Sequence, residues 1–136
     1  RVAMQPGSAQ GFGHIGPDRT PIFVLPANPV GTLLSFDLFV RPLIRRLAGR
    51  VSIHHRTMPL PTATDLTSTP GETQYVRAIV EIRGGALTAV SQEESQGHPL
   101  SGLGTAEALI VLGPEVSTVQ AGQVVTVMRT DDEAER

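Results

Sequence analysis

Residues 24–49 read VLPANPVGTLLSFDLFVRPLIRRLAG, and this stretch decides the local fold. The apolar residues from Pro21 to Leu25 predict a short strand of the kind that is buried in a parallel sheet. Asn28 is suited to cap a helix, because its side chain can accept a hydrogen bond from a free helix amide. Pro29 suits the first helical position, where its missing N–H costs nothing. The stretch therefore predicts a strand, a rigid turn and a helix in direct succession.

The helix has apolar residues on several of its sides. We predict that it runs from Pro29 to about Ala48 and stops at Gly49, since glycine is common just after the end of a helix. Pro42 lies inside this range and removes one hydrogen bond of the helix, so it should kink the helix or begin a new segment. The wide apolar surface indicates a helix that packs on more than one side.

The start of this helix is a candidate anion site. Unpaired amides and the positive end of the helix macrodipole attract negative charge, and this end points beyond the carboxyl end of the strand. An ordinary structural cap is the alternative, because most Asn-Pro pairs that precede helices do nothing else. The local sequence by itself favours the ordinary cap and leaves both interpretations open.

Composition bounds the class of protein. The chain has 136 residues, of which 40% are hydrophobic and 18% are charged, so it should fold as one domain or as a fragment with a small domain. The formal net charge of −2 argues against functions that need general positive charge, such as binding nucleic acid or a membrane surface. There is no Cys and all basic residues are Arg, which excludes thiolate and lysine chemistry within this chain. No apolar run reaches the roughly 20 residues that span a bilayer.

The pattern changes after residue 50, where short strands replace the long helix. The segment Tyr75–Ile82 alternates with a period of two, which places Tyr75, Arg77, Ile79 and Glu81 on one side. The remaining predictions are a turn at 83–86 with a Gly-Gly pair, strands at 87–91, 108–112 and 123–128, a polar loop at 91–104 and a frayed tail at 131–136. Several short strands over this length predict a small antiparallel β-barrel or a folded sheet.

The sequence offers no catalytic or metal-binding cluster of its own. His54 and His55 are adjacent in an expected strand, so their side chains should point to opposite faces and cannot share one metal. Without Cys or a His pair at helical spacing, we predict no metal site. The serines lack the context of a nucleophile elbow. We therefore expect no catalytic residue within this chain.

Several segments together resemble a known family. They are VAMQPG at 2–7, GFG at 11–13, LPANPV at 25–30, FDLFVRP at 36–42, PG at 70–71, Arg77, AEALIVL at 106–112 and AGQVVTV at 121–127. In order and spacing they resemble the molybdopterin molybdenumtransferases, the MoeA family, which includes the E domain of gephyrin. LPANPV is similar to the family motif Leu-Pro-Gly-Asn-Pro-Val. The resemblance covers nearly the whole chain.

The resemblance implies a fold of two parts. Residues 1–50 would be the final βα unit of a three-layer α/β domain of the molybdopterin-binding type. Residues 51–136 would be the C-terminal β-barrel domain of the family. The chain would then be only the C-terminal portion of a longer, multidomain protein, an expectation that also fits its start without Met.

The resemblance also implies a function in molybdenum cofactor biosynthesis. Family members insert molybdate into adenylylated molybdopterin and release AMP, with a divalent cation, usually Mg²⁺, assisting. They are expected to be cytoplasmic homodimers. The metal ligands would lie outside this chain, and the fragment alone should be inactive. The alternative is a non-catalytic scaffold or partner-binding β module derived from the same family.

Five residues are carried over as expected substrate-binding residues: Pro26, Asn28, Pro29, Arg77 and Gly97. The first three match the motif at the rim of the family's site for pterin and oxyanion. Arg77 falls where the family has an arginine that reaches towards molybdate, and a guanidinium is a suitable oxyanion ligand. An exposed strand arginine without such a role is the alternative.

The chain departs from the family pattern at three positions. Ala27 replaces the usual Gly, which would cost about 1 kcal/mol if the turn needs a positive φ. Gly31 stands where a serine often follows Pro-Val, and Gly97 stands where the last domain has an oxyanion-binding serine. The departures leave the fold prediction intact and bear on catalytic competence.

Overall fold

The computed structural model describes residues 1–92 and 108–130. The chain divides into two compact units, Arg1–His54 and His55–Arg136, so the division lies a few residues after the predicted one at 50. Most of the predicted loop at 91–104 and the whole predicted tail at 131–136 lie outside the described residues.

The first unit contains a hairpin followed by a continuous helical stretch. Its elements are β1 (Met4–Gln5), β2 (Gly11–Ile15), β3 (Thr20–Val24), α1 (Pro29–Ser35), a π-helical segment (Phe36–Val40) and α2 (Arg41–Leu47). The strand and helix predicted on either side of the Asn-Pro turn are both present, with bounds that differ by a residue.

The predicted burial of β3 in a parallel sheet is wrong for this chain. β3 pairs with β2 in the antiparallel sense, with Phe23 opposite Phe12 and the two ring centroids 5.0 Å apart. Val24 is 62% exposed. The turn between the strands has two residues in the left-handed region, Gly16 (φ 73°) and Arg19 (φ 53°), and it returns the chain beside β2. An apolar run predicts a strand, but it does not determine which partner the strand finds.

The helix changes register before Pro42, as the proline predicts. The Arg41 N–H bonds to the carbonyl of Phe36, five residues back, so one wide π turn separates α1 from α2. Pro42 has no N–H to give, and its ring would clash with the carbonyl four residues earlier in an α-helix. A π turn is wider and gives the ring room, so a new segment begins in place of a sharp kink.

The helix ends at the predicted glycine. Gly49 has a φ of 76°, its N–H bonds to the carbonyl of Arg46, and the Arg50 N–H bonds to the carbonyl of Arg45. These two hydrogen bonds form a Schellman motif, which satisfies carbonyls that the helix end would otherwise leave open. The prediction of a stop at Gly49 is confirmed.

The second unit is built mainly from one antiparallel sheet. Its elements are β4 (Thr57–Pro61), β5 (Leu66–Thr67), β6 (Thr73–Arg83), β7 (Ala86–Ser91), β8 (Ala108–Leu112), β9 (Thr118–Val119) and β10 (Val124–Arg129). Five of these strands pair in the order β7–β6–β8–β10–β4, and β5 pairs with β9 separately. Gly84 and Gly85 both have positive φ in the β6–β7 turn, as the predicted Gly-Gly turn requires.

One face of this sheet forms the core of the second unit. Val76, Ile110 and Val127 lie side by side on three neighbouring strands and are 0–1% exposed. The alternation of β6 puts Val76 and Ala78 into this core, which confirms the predicted grouping of Tyr75, Arg77, Ile79 and Glu81 on the opposite face.

The predicted β-barrel is wrong, because the sheet stays open. Among the described residues, the one bridge between this edge and β7 is formed just after β4, by Thr62 with Ala89, and it is parallel. The Thr62 N–H bonds towards β10, to the carbonyl of Gln123, so by alternation Pro59 and Pro61 face the outer edge of β4. Prolines have no N–H, and a closing ladder would lack donors at both positions. The result is a folded sheet, the other form that the strand pattern predicts.

Candidate functional site

The helix start is closed by the protein's own groups. The Asn28 side-chain oxygen accepts hydrogen bonds from the N–H groups of Val30, at 2.9 Å, and Gly31, at 3.3 Å. The Thr32 N–H bonds to the Asn28 carbonyl at 2.8 Å. Pro29 has no N–H, so every backbone donor of the first turn is accounted for. The predicted N-cap at Asn28 and the predicted first position of Pro29 are confirmed.

The predicted unpaired amides at this helix start are therefore wrong. The single carboxamide oxygen of Asn28 occupies both donors that an anion would need. The ordinary structural cap is what this chain adopts. Any ligand contact at the rim has to come from side chains instead of bare amides.

The turn before the helix is held rigid by Thr32, which the sequence did not single out. Its hydroxyl bonds to the carbonyl of Pro26 and, at 2.9 Å, to the carbonyl of Asn28. Pro26 is buried, whereas Asn28 and Pro29 are exposed. The sequence feature that could have predicted this role is a hydroxyl residue one turn into a capped helix. From that position a side chain can reach back to the preceding carbonyls. The exposed rim thus consists of Asn28 and Pro29 on a fixed turn.

Ala27 does not strain this turn. Arg19 is the only residue other than glycine that has a positive φ in the described ranges 1–92 and 108–130. The condition for the predicted cost at Ala27 is therefore not met, and alanine fits where the family has glycine.

Gly31 lies at a close backbone approach. A Cβ at Gly31 would lie 3.3 Å from the Gly7 Cα and 3.3 Å from the Pro26 Cβ, which is tighter than ordinary packing. Gly7 has a φ of 101° and itself lies against the buried hydroxyl of Ser35. The loop that contains Gly7 therefore packs directly on the first turn of α1. The glycine that departs from the family's serine has a steric reason in this chain.

Arg77 lies on the face of the β6–β8–β10 sheet that is turned away from the core. Its cross-strand neighbours on this face are Leu109 on β8 and then Met128 on β10. Leu109 is 8% exposed, and Met128 and Arg77 are partly buried. A guanidinium that rises from an apolar surface is less screened than one in open water, so an anion there is attracted more strongly.

Tyr75 shares this face with Arg77, two residues earlier on β6. Its cross-strand neighbour is Val111, and Thr126 follows on β10. Burial of the ring raises the pKa of the Tyr75 phenol above its ordinary value. The phenol is therefore a neutral hydrogen-bond donor throughout the physiological range. We call Tyr75, Arg77, Leu109, Val111 and Met128 the Arg77 face.

The predicted site residues lie in different parts of the chain. Gly97 lies outside the described residues. Pro26, Asn28 and Pro29 belong to the first unit and Arg77 to the second. The first unit also has an apolar cavity of about 630 Å³, and none of the predicted residues lines it.

The described residues do not fit a metal ion. Within 1–92 and 108–130, no three His, Cys, Asp or Glu side chains come together as a ligand set. The strand expected to carry His54 and His55 begins only at Thr57, so the predicted opposite-face geometry does not apply to them. No helix in the described ranges combines the length and hydrophobicity of a membrane-spanning segment.

Comparisons with known proteins agree on one relationship. The model of the family "MoeA C-terminal region (domain IV)" matches residues 59–129. Molybdopterin molybdenumtransferase 1 of Mycobacterium tuberculosis is 38% identical over 138 aligned positions, which cover 93% of this chain and 31% of the relative. Molybdopterin molybdenumtransferase 2 of the same organism is 37% identical and covers 90% of this chain and 29% of the relative. The chain thus spans about a third of the length of these relatives.

Solved structures give the same result. A molybdopterin biosynthesis MoeA protein from Pyrococcus horikoshii has a TM-score of 0.74 at 25% identity, and the match covers 94% of this chain and 30% of that protein. A molybdenum cofactor biosynthesis protein from Pyrococcus furiosus has a TM-score of 0.71 at 25% identity, over 93% of this chain and 42% of that protein.

Proposed function

Because this chain belongs to the MoeA family and contains its C-terminal region, domain IV, we propose that it is the C-terminal part of a molybdopterin molybdenumtransferase. The full-length protein would insert molybdate into adenylylated molybdopterin, hydrolyse the nucleotide and release AMP. The observation that carries this proposal is the family match over residues 59–129, which includes the Arg77 face. The isolated chain would be inactive.

Arg77 is the residue through which this chain would bind molybdate. Its guanidinium is always charged and presents a planar fork of donors, which suits two oxygens of an oxyanion. The Arg77 face supports this role, because Arg77 is partly buried and its cross-strand neighbour on β8 is the apolar Leu109. Electrostatic attraction would be stronger there than at a fully hydrated surface.

The rim of the first unit would contact the pterin part of the substrate. The Asn28 carboxamide oxygen is occupied by the cap, but its NH₂ group lies on an exposed residue and can donate to a pterin acceptor. Pro29 offers an exposed apolar surface, and Pro26 would act through the shape of the turn that it helps to fix. Gly97 would supply no side-chain donor, unlike the serine that the family resemblance implies at this position.

The remaining features of the proposal concern the longer protein. Mg²⁺ would be held by ligands that this chain does not provide, and it would assist cleavage of the nucleotide. The first unit would complete a three-layer α/β domain of the molybdopterin-binding type. We also propose a cytoplasmic homodimer, as the family resemblance implies.

The test is a molybdate-insertion assay on the full-length protein at limiting molybdate, with Arg77→Ala compared with the wild type. Loss of one charge-assisted contact should raise the apparent KM for molybdate by roughly tenfold or more. Arg83→Ala is the matched control, because Arg83 lies on the same strand, is exposed and pairs with Glu81 at 3.2 Å.

Wild-type KM in Arg77→Ala would remove Arg77 from the proposed site. A full-length protein with no insertion activity at any molybdate concentration would favour the alternative, a scaffold or partner-binding module. Equal losses in Arg77→Ala and Arg83→Ala would show a general charge effect and not a contact at Arg77.

A further inference from the structure

Tyr75 is the only tyrosine of the chain, and it lies on the Arg77 face. It lies two residues before Arg77, so the two side chains leave the same face of β6 about 6–7 Å apart along the strand. The Tyr75 hydroxyl makes no hydrogen bond to any residue in the described ranges 1–92 and 108–130. The Tyr75 hydroxyl is not among the buried polar atoms that lack a partner, so its oxygen reaches solvent, where a ligand can meet it.

The two side chains are chemically complementary towards one anion. The guanidinium fork can engage two oxygens of a tetrahedral oxyanion and leaves the others open. A neutral phenol can donate one further hydrogen bond to an open oxygen, and it adds no charge. Both side chains are long enough to converge above the strand from positions two residues apart.

The surroundings strengthen such a bond. Val111 lies directly across from Tyr75 on β8, and Leu109 lies across from Arg77. The sheet surface next to the two polar side chains is therefore apolar on the side of β8. A hydrogen bond to a charged group is worth more where water competes less. Burial of the ring also raises the pKa of the Tyr75 phenol, which keeps its proton available for donation.

We propose that the Tyr75 hydroxyl is a second ligand of the oxyanion bound at Arg77 and donates a hydrogen bond to an oxygen that the guanidinium leaves open. This inference rests on the proposed role of Arg77 in molybdate binding. It assigns to Tyr75 a contribution to the affinity for a tetrahedral oxyanion, and it leaves the chemistry at the pterin to other residues.

The experiment compares Tyr75→Phe with the wild type in the full-length protein. This change removes one oxygen and keeps the ring at its position opposite Val111. With saturating adenylylated molybdopterin, the apparent KM for molybdate should rise about tenfold, the loss expected for one hydrogen bond to a charged group. The kcat should stay within about twofold, because the contact exists before and during the reaction.

Thr126→Val is the matched control. It removes a hydroxyl from the same sheet face. Thr126 lies two strands from Tyr75, in the cross-strand row Tyr75, Val111 and Thr126, so the two backbones are about 9–10 Å apart. Its KM for molybdate should equal that of the wild type. Thermal unfolding of each variant confirms that the fold is retained.

The outcomes separate this inference from the function on which it rests. If Arg77→Ala raises the KM and Tyr75→Phe does not, Tyr75 is no ligand and the role of Arg77 stands. If neither variant raises it, the oxyanion site at Arg77 is wrong and the inference is wrong with it. Equal rises in Tyr75→Phe and Thr126→Val would also overturn the inference, because the effect would then not depend on this hydroxyl.

Discussion

The two units differ in how much of their apolar surface they bury. The second unit encloses a continuous core that includes Val76, Ile110 and Val127, all 0–1% exposed. In the first unit, whose residues 1–54 are all described, Met4 and Leu34 are the buried hydrophobic residues of the core. The others are partly buried or exposed. The larger exposed ones are Val2, Phe12, Ile15, Ile22, Val24, Leu33, Phe36, Phe39, Ile44, Leu47 and Val51.

This difference shows what kind of sequence makes a unit self-sufficient. The strands of the second unit alternate, so each contributes one apolar row to a single shared face. The helix of the first unit is apolar on several sides, and a hairpin can cover only one of them. Each fully buried aliphatic side chain contributes about 1.5–3 kcal/mol, so the second unit should supply most of the stability of this chain.

The largest effect should come from a core truncation in the second unit. Ile110 is fully buried at the centre of the sheet, between Val76 and Val127. Ile110→Ala should reduce the free energy of unfolding of this unit by about 2–5 kcal/mol, because it leaves a cavity in a packed core. Chemical denaturation followed by circular dichroism measures the loss.

Leu47→Ala is the matched truncation in the first unit, where Leu47 is 74% exposed. It should change the free energy of unfolding by no more than about 0.5 kcal/mol, as surface substitutions usually do. A loss at Leu47 as large as that at Ile110 would break the contrast between the two units.

The parts of the fold that could be predicted are those that local chemistry determines. The strand Ala108–Leu112, the turn at Gly84 and Gly85, the cap at Asn28 and the stop at Gly49 each depend on a few adjacent residues. The alternation of β6 likewise predicts which side chains share a face with Arg77.

The parts that were wrong depend on partners that the sequence pattern does not name. The barrel prediction failed because closure needs donors on the outer edge of β4, where Pro59 and Pro61 have none. β3 was predicted in a parallel sheet, but its partner is β2. The bare amides at the helix start were wrong because Asn28 uses one oxygen for two donors.

An intermediate effect should follow from a side chain at Gly31. In the first unit, a Cβ at Gly31 would lie 3.3 Å from the Gly7 Cα, so the backbones of the two glycines approach closely. Gly31→Val should reduce the stability of this unit by about 1–3 kcal/mol, because its methyl groups would displace the loop or the helix. Hydrogen exchange of the α1 amides measures the loss.

Gly13→Val is the control for this substitution. A Cβ at Gly13 would lie 3.8 Å from an Ile22 methyl carbon, an ordinary contact, and valine suits a strand. Its stability should equal or exceed that of the wild type. If Gly31→Val leaves the stability unchanged as well, the first unit is loosely packed even at this close contact. Its packing would then differ still more from that of the core of the second unit.

The smallest effect should come from the cap at Asn28. Asn28→Ala leaves the Val30 and Gly31 amides without their shared acceptor and should cost about 1 kcal/mol. Asn28→Asp keeps an acceptor at the same place and adds a negative charge at the positive end of the helix, so its stability should match that of the wild type. Faster hydrogen exchange of these two amides in Asn28→Ala alone would confirm the cap.

The same pair of variants separates the cap from the proposed contact with the pterin, because Asn28→Asp keeps the acceptor but loses the NH₂ donor. A full-length Asn28→Asp protein with normal stability and a raised KM for adenylylated molybdopterin would support that contact, and an unchanged KM would limit Asn28 to the structure of the helix start.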